Sequence, residues 1–194
     1  MGVGIKHVRE IFRRCRSPLG FALFIFIAFT SPGRSQGVSQ AYSLKAVFLL
    51  NFAQFTDWPT TAFAAPAALF VIGILGSDPF GHWLDEAVAA EFVNGRKVVV
   101  ERYRRVEELQ SCQILFITES KLRELPKIMA VLRGKSVLTV SDVDTKLSGN
   151  VSVRFVTDNN KIRFKINTDA VKAANLIMSS KLLRVAELVS AQTR

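Results

Sequence analysis

Residues 68–75 read Ala-Leu-Phe-Val-Ile-Gly-Ile-Leu, and Gly76-Ser77-Asp78-Pro79 follow. The run is apolar throughout and shows no alternation. This predicts a strand buried on both faces, which belongs to a parallel sheet. Asp78 is placed to cap a helix and Pro79 to open it, with the helix running to about Glu91. A strand, a tight turn and a helix in that order make an α/β unit.

The same rhythm continues towards the C-terminus. Asn94-Gly95 is a turn, and Lys97–Tyr103 (KVVVERY) is a second strand. Val106–Leu109 suits a short helix. Gln113–Thr118 is a third strand, Glu124–Leu132 a helix closed by Gly134, and Ser136–Val140 a fourth strand. The pattern then changes to strict alternation. Val151, Val153 and Phe155 face one way and Ser152 and Arg154 the other; Ile162, Phe164 and Ile166 oppose Arg163 and Lys165. Asp158-Asn159-Asn160 between them is hairpin chemistry. Thr168–Val189 is expected as one long helix, capped by Thr168, with Ser179 and Ser180 allowing it to pack closely.

Towards the N-terminus, Ala41–Trp58 predicts a helix with Leu44, Val47, Phe48, Phe52 and Phe55 on one face and Leu49 beside them. Asp57-Trp58-Pro59 ends it, because a residue before proline avoids the helical region. Phe48, Phe52, Phe55 and Trp58 form an aromatic stripe that serves either the core or an interface with a dimer mate or partner. The fold class is a single-domain α/β protein. Its sheet is mixed and mostly parallel with a terminal antiparallel hairpin, and helices cover both faces.

Before this domain stands a different segment. Lys6, Arg9, Arg13, Arg14 and Arg16 precede an apolar run of 11 residues, Leu19–Phe29, and small and polar residues follow. The run is far short of the roughly 20 residues that span a hydrocarbon core. Basic head, short apolar middle and polar end are the layout of a secretory signal peptide. Residues 1–35 are therefore expected to be the leader, cleaved between about 35 and 41, and residues 41–190 the domain. The expected location is the periplasm.

The chain carries 26 basic and 16 acidic side chains, of which six and one lie in the first 35 residues, so the net charge of +10 falls to +5 without them. That charge reads as a solvated face, and an exported protein meets no nucleic acid. Cys112 is the sole cysteine beyond Cys15, so no disulfide is expected within the exported chain. It reads as a free, buried thiol.

Catalytic chemistry finds little support. His82 and Cys112 alone cannot build a transition-metal cage. Asp142 and Asp144 lack calcium-loop spacing and read as turn residues. Gly73, Gly76 and Gly81 match neither phosphate-loop pattern, and Pro79 removes a backbone N–H where an anion would need it. There is no nucleophile elbow, and Ser179-Ser180-Lys181 lacks the spacing of a serine–lysine pair. Neither cofactor nor enzymatic activity is expected.

Several stretches, in order, carry a resemblance. They are Lys45-Ala46-Val47-Phe48-Leu49, Asn51-Phe52-Ala53-Gln54-Phe55, Asp57-Trp58-Pro59 and Gly76-Ser77-Asp78-Pro79-Phe80-Gly81. Then come Cys112 to Ile117, Leu138-Thr139-Val140-Ser141-Asp142, Lys161 to Asn167, and Ser179 to Leu183. Together they resemble the YfiR-like periplasmic proteins. The resemblance implies a single α/β domain, often homodimeric. It implies a repressor that binds the periplasmic sensor region of a membrane-bound diguanylate cyclase and lowers cyclic-di-GMP signalling. An OmpA-like outer-membrane lipoprotein can sequester such a repressor. Members can also carry disulfide-forming cysteine pairs. Here Cys112 matches one such position, Phe70, Val71 and Ile72 offer no partner, and residues 146–153 hold no cysteine, so an internal bridge is not expected. The partner is expected to meet the loop from Asp142 to Gly149, including Asp144, and the polar hairpin face with Arg154, Arg163 and Lys165. The alternative is a periplasmic small-molecule binding domain that signals through another partner.

Overall fold

The run at residues 70–75 forms a strand with every residue buried. The computed structural model describes residues 35–143, 150–159 and 161–189. Its helices are α1 (Ser35–Gln54), α2 (His82–Val88), α3 (Leu125–Leu132), α4 (Thr168–Ala173) and α5 (Ser180–Leu183). Its strands are β1 (Thr56–Asp57), β2 (Phe70–Leu75), β3 (Phe92–Val93), β4 (Arg96–Tyr103) and β5 (Ile114–Ile117), then β6 (Leu138–Ser141), β7 (Val153–Asp158), β8 (Lys161–Asn167), β9 (Ile177–Met178) and β10 (Glu187–Val189). The leader expected over residues 1–35 lies, but for Ser35, outside the described residues, as does Asp144.

Eight strands form one sheet in the order β10-β8-β7-β6-β5-β2-β4-β3. The block from β4 through β2, β5 and β6 to β7 is parallel, with Ile72 opposite both Val100 and Ile114. The β7–β8 hairpin is antiparallel, with Phe155 opposite Phe164. It does not end the sheet, because β10 adds a parallel edge beside β8. β1 and β9 form a separate antiparallel pair. The fold is thus mixed α/β, and the two-residue side-chain period divides its core. Phe70, Ile72 and Ile74 pack with Ala46, Leu49, Phe52, Phe80 and Leu84 of the α1–α2 side. Val71 and Leu75 pack with Leu122, Leu125, Ile128 and Leu132 of the α3 side. A strand contributing to both layers cannot afford polar positions.

Several expectations need correction. The helix α1 stops at Gln54, because residues 56 and 57 leave to pair with β9, and Trp58 precedes Pro59. Its buried face is also different. Ala46, Leu49, Leu50 and Ala53 form the buried stripe, joined by Phe52, whereas Leu44, Val47 and Phe55 are exposed by 45%, 47% and 39%. Both stripes are apolar at helical spacing, and the one with two alanines lets the helix approach the sheet more closely.

Asp78 does not cap α2. Its Oδ1 accepts from Phe80 N at 2.7 Å and Gly81 N at 3.3 Å, closing a turn, and α2 starts only at His82. Gly76 holds φ at +105°, and a Cβ there would lie 2.2 Å from Thr118 Oγ1, so both backbone and space require glycine.

The largest correction concerns residues 168–189. They are not one helix but α4, β9, α5 and β10 in sequence. Asn167, not Thr168, caps α4, accepting from Asp169 N and Ala170 N. Asn175 then takes φ of +54°, which ends the helix. Ser179 is not a packing residue in mid-helix. It caps α5 by accepting from Lys181 N. Strand pairing of β9 and β10 rewards these breaks, and helical periodicity in the sequence does not register it.

Candidate functional site

β2 and β5 lie side by side, but the chain leaves them in opposite directions. From β2 it crosses through α2 to β4 on one side, and from β5 through α3 to β6 on the other. Such a switch point opens a crevice beyond the carboxyl ends of the strands, where α/β proteins bind their ligands. A cleft of about 580 Å3 occupies that place. Ser77 and Pro79 follow β2, Thr118, Glu119 and Ser120 follow β5, and Asp142 and Val143 follow β6. Tyr42 and Lys45 close the wall from α1.

Local chemistry builds this wall tightly. Thr118 Oγ1 donates to Leu75 O at 3.0 Å and lies 2.9 Å from Ser120 Oγ, which in turn accepts from Ser77 N at 3.2 Å. These bonds tie the loop after β2 to the loop after β5. Across the cleft, Asp142 Oδ2 accepts from Tyr42 Oη at 2.6 Å and from Lys45 Nζ at 2.9 Å. Lys45 also lies over the Tyr42 ring, 4.3 Å from its centroid. The Tyr42 phenol is held well above its usual range, first by burial, then by its hydrogen bond to Asp142 and by the charges of Asp142 and Glu119.

The turn after β2 is not an anion cradle. The N–H groups of Phe80 and Gly81 are taken by Asp78 Oδ1, and Pro79 has none. Asp78 Oδ2 and Asp85 together hold Arg102, whose Nε lies 2.7 Å from Asp78 and whose Nη2 lies 2.6 Å from Asp85. The glycines of this loop therefore serve a turn.

A family model described as YfiR/HmsC-like (DUF4154) matches residues 42–187. The chain belongs to that family. No curated protein matches it at a significant level. The family is one of periplasmic regulators of diguanylate cyclases. Its match begins at Tyr42 and takes in every residue lining the cleft. Among the described residues no helix is long and apolar enough to cross a membrane.

The residues singled out from the sequence are scattered. Asp142 belongs to the cleft. Arg163 pairs with Asp158 within its own hairpin and Lys165 with Glu187 on β10, both at 3.4 Å. Arg154 stands opposite Lys165 in the β7–β8 register and beside Ser141 of β6. Of the aromatic stripe, Phe52 is fully buried, and Phe48 packs on Phe155 and Phe164. Trp58 meets Phe70 edge-on, and Phe55 alone of the four is exposed. Cys112 is buried and free, and burial, followed by the nearby Glu101 charge, pushes its thiol up to about 12. Sequence reasoning overlooked Tyr42, Lys45, Thr118, Glu119 and Ser120 as one site. They come from two separate segments, α1 and the loop after β5, and only the order of the strands reveals that these converge on Asp142 after β6.

Proposed function

We propose that this chain is an exported, non-catalytic repressor that binds the periplasmic sensor region of a membrane-bound diguanylate cyclase. The observation that carries this reading is the family match over residues 42–187, which spans nearly the whole folded unit. Repression of this kind works by occupancy. A domain with higher affinity for the inactive sensor shifts its equilibrium without any chemistry. Residues 1–35 serve as the export signal and residues 41–190 as the working domain. The protein acts as a homodimer, and an OmpA-like outer-membrane lipoprotein relieves repression by sequestering it.

The exposed side chains Leu44 and Val47 on the outer face of α1, with Phe55 just past its end, suit a dimer or partner contact, and the hairpin charges suit orientation of the partner. The test is cyclic-di-GMP in a deletion strain against a strain lacking both this gene and the cyclase. The single deletion should raise the nucleotide, and the double deletion should not. Equal levels in wild type and single deletion under several growth conditions would remove the repressor reading.

A further inference from the structure

The outer side of α1 carries no charge. Of its 20 residues, Ser35–Gln54, only Lys45 is charged, and Lys45 is turned onto Asp142 and nearly removed from solvent. Leu44, Val47 and Asn51 follow one another at helical spacing along the outer side. Phe55 continues the line just past the end of the helix, with its N–H still bonded to Asn51 O at 2.9 Å. Leu44, Val47 and Phe55 are all exposed. The line runs on into the β1–β9 pair. Thr56 and Met178 point inward there, so Phe55, Asp57 and Ile177 share the outward face, and Ile177, 68% exposed, stands opposite Asp57. Single exposed apolar residues are ordinary, but a continuous line of them without charge marks a contact surface.

The ends of this line differ in charge. Lys161 lies at the Leu44 end, where it lines the groove between α1 and the β7–β8 hairpin with Leu44, Val47 and Ile162. Asp57 lies at the Phe55 end. Both are exposed, and neither forms an ion pair among the described residues. Asp158, opposite Lys161 in the hairpin, is engaged by Arg163. From Leu44 to Phe55 the helical rise covers about 16 Å, so the two charges cannot meet within one chain.

A two-fold axis across α1 brings them together. Two copies packed antiparallel along this line set the Leu44 end of one against the Phe55 end of the other. Lys161 then faces the partner subunit's Asp57, once at each end. A parallel packing would set like charges against each other instead. We infer that Leu44, Val47, Phe55 and Ile177 form the interface of an antiparallel homodimer, closed at each end by Lys161 of one copy and Asp57 of the other. The occupant is a second copy because the surface complements itself, apolar centre to apolar centre and opposite charges at the rim. Elsewhere, two copies of a chain with more basic than acidic residues repel. This inference rests on the homodimer of the preceding section and not on the cyclase.

The protein purified from cells expressing the full chain should sediment as a dimer in analytical ultracentrifugation. Val47→Asp places a charge in the centre of the line. Val47 is 47% exposed, so this variant should keep the parental urea midpoint and sediment as a monomer. Lys161→Glu and Asp57→Lys should each weaken dimerisation by about tenfold or more, since each sets like charges together at both ends of the interface. The combined variant restores opposite charges and should recover parental dimerisation, a recovery that damage to the fold cannot mimic. A parent that stays monomeric would overturn both the homodimer and this interface. A dimer that persists in Val47→Asp, or a combined variant as weak as the single ones, would overturn the interface and leave a homodimer built on another surface.

Discussion

Lys45 Nζ and Asp142 Oδ2 meet at 2.9 Å across 97 residues of chain, and this contact joins α1 to the loop after β6. Both side chains are nearly removed from solvent, 11% and 9% exposed. Removing one member leaves the other charged and buried, which typically costs about 3–5 kcal/mol. Lys45→Met should therefore lower stability by that order in urea titrations, with an unchanged denaturant slope. The double variant Lys45→Met, Asp142→Leu should recover most of the loss. Additive losses in the pair would show that the two charges are not coupled.

The two tyrosines should resist ionisation in the folded chain. Tyr42 is held up by burial and Asp142, and Tyr103 by burial and its hydrogen bond to Glu101. In the unfolded chain both phenols release their protons near pH 10. The folded state thus binds more protons above that pH, and unfolding gains from their release. The stabilisation is complete below about pH 10 and declines as pH rises from there through the raised folded values. Absorbance at 295 nm should show phenolate only as the circular dichroism signal collapses. Tyr42→Phe should flatten the alkaline loss. Phenolate forming near pH 10 in a chain with intact secondary structure would contradict the burial argument.

Cys112 should be chemically silent in the native protein. Its thiol is buried and pushed up to about 12, so little thiolate exists at neutral pH. In a Cys15→Ser background Cys112 is the sole thiol. Labelling by a disulfide reagent at pH 8 should be slow until denaturant is added. Thermal midpoints with and without dithiothreitol should coincide, since no loop-closing crosslink is present. A fall of many degrees on reduction would indicate an intermolecular bridge.

The parallel core was legible because β2 and β5 are buried on both faces, and such burial forces continuous apolar runs such as residues 70–75. The hairpin was legible for the complementary reason: Phe155 and Phe164 alternate with polar residues because only one face is covered. The C-terminal segment was not. Val171, Met178 and Leu182 are buried apolar residues at helical spacing, but the breaks at Asn175 and Ser179 are enforced by pairing with β1 and β8, contacts distant in sequence. The cleft was hidden for a related reason. Lys45, Glu119 and Asp142 each look like an ordinary surface charge until strand order brings their segments together.

Phe52 inside α1 and Phe55 just past its end separate core from surface. Phe52 is fully buried, with ring centroids 5.7 Å from Phe155 and 5.1 Å from Phe164. Phe52→Ala should cost about 3–5 kcal/mol. Phe55, 39% exposed, should cost about 1 kcal/mol or less when truncated. If α1 supplies a dimer contact, Phe55→Ala combined with Leu44→Ser should shift the protein to monomer in size-exclusion chromatography with its urea midpoint nearly unchanged. A Phe52→Ala protein of parental stability would remove Phe52 from the core.

The hairpin charges divide into one that tests the partner surface and one that tests the fold. Arg163 pairs with Asp158 inside the hairpin, and both side chains are more than half exposed. An exposed pair of this kind contributes about 0–1 kcal/mol, so Arg163→Glu should hardly move the thermal midpoint. Lys165 is different. It is only 24% exposed and reaches Glu187 on β10, the outer strand of the sheet. Lys165→Glu would set two carboxylates against each other at that edge. The three residues of β10 are held by β8 alone, so their amide protons should exchange faster. If the hairpin face orients an acidic sensor surface, Arg163→Glu should raise cellular cyclic-di-GMP towards the deletion level while the protein stays folded and abundant. Parental repression by a stable Arg163→Glu protein would take the hairpin out of the contact and leave the exposed face of α1 as the surface to test next.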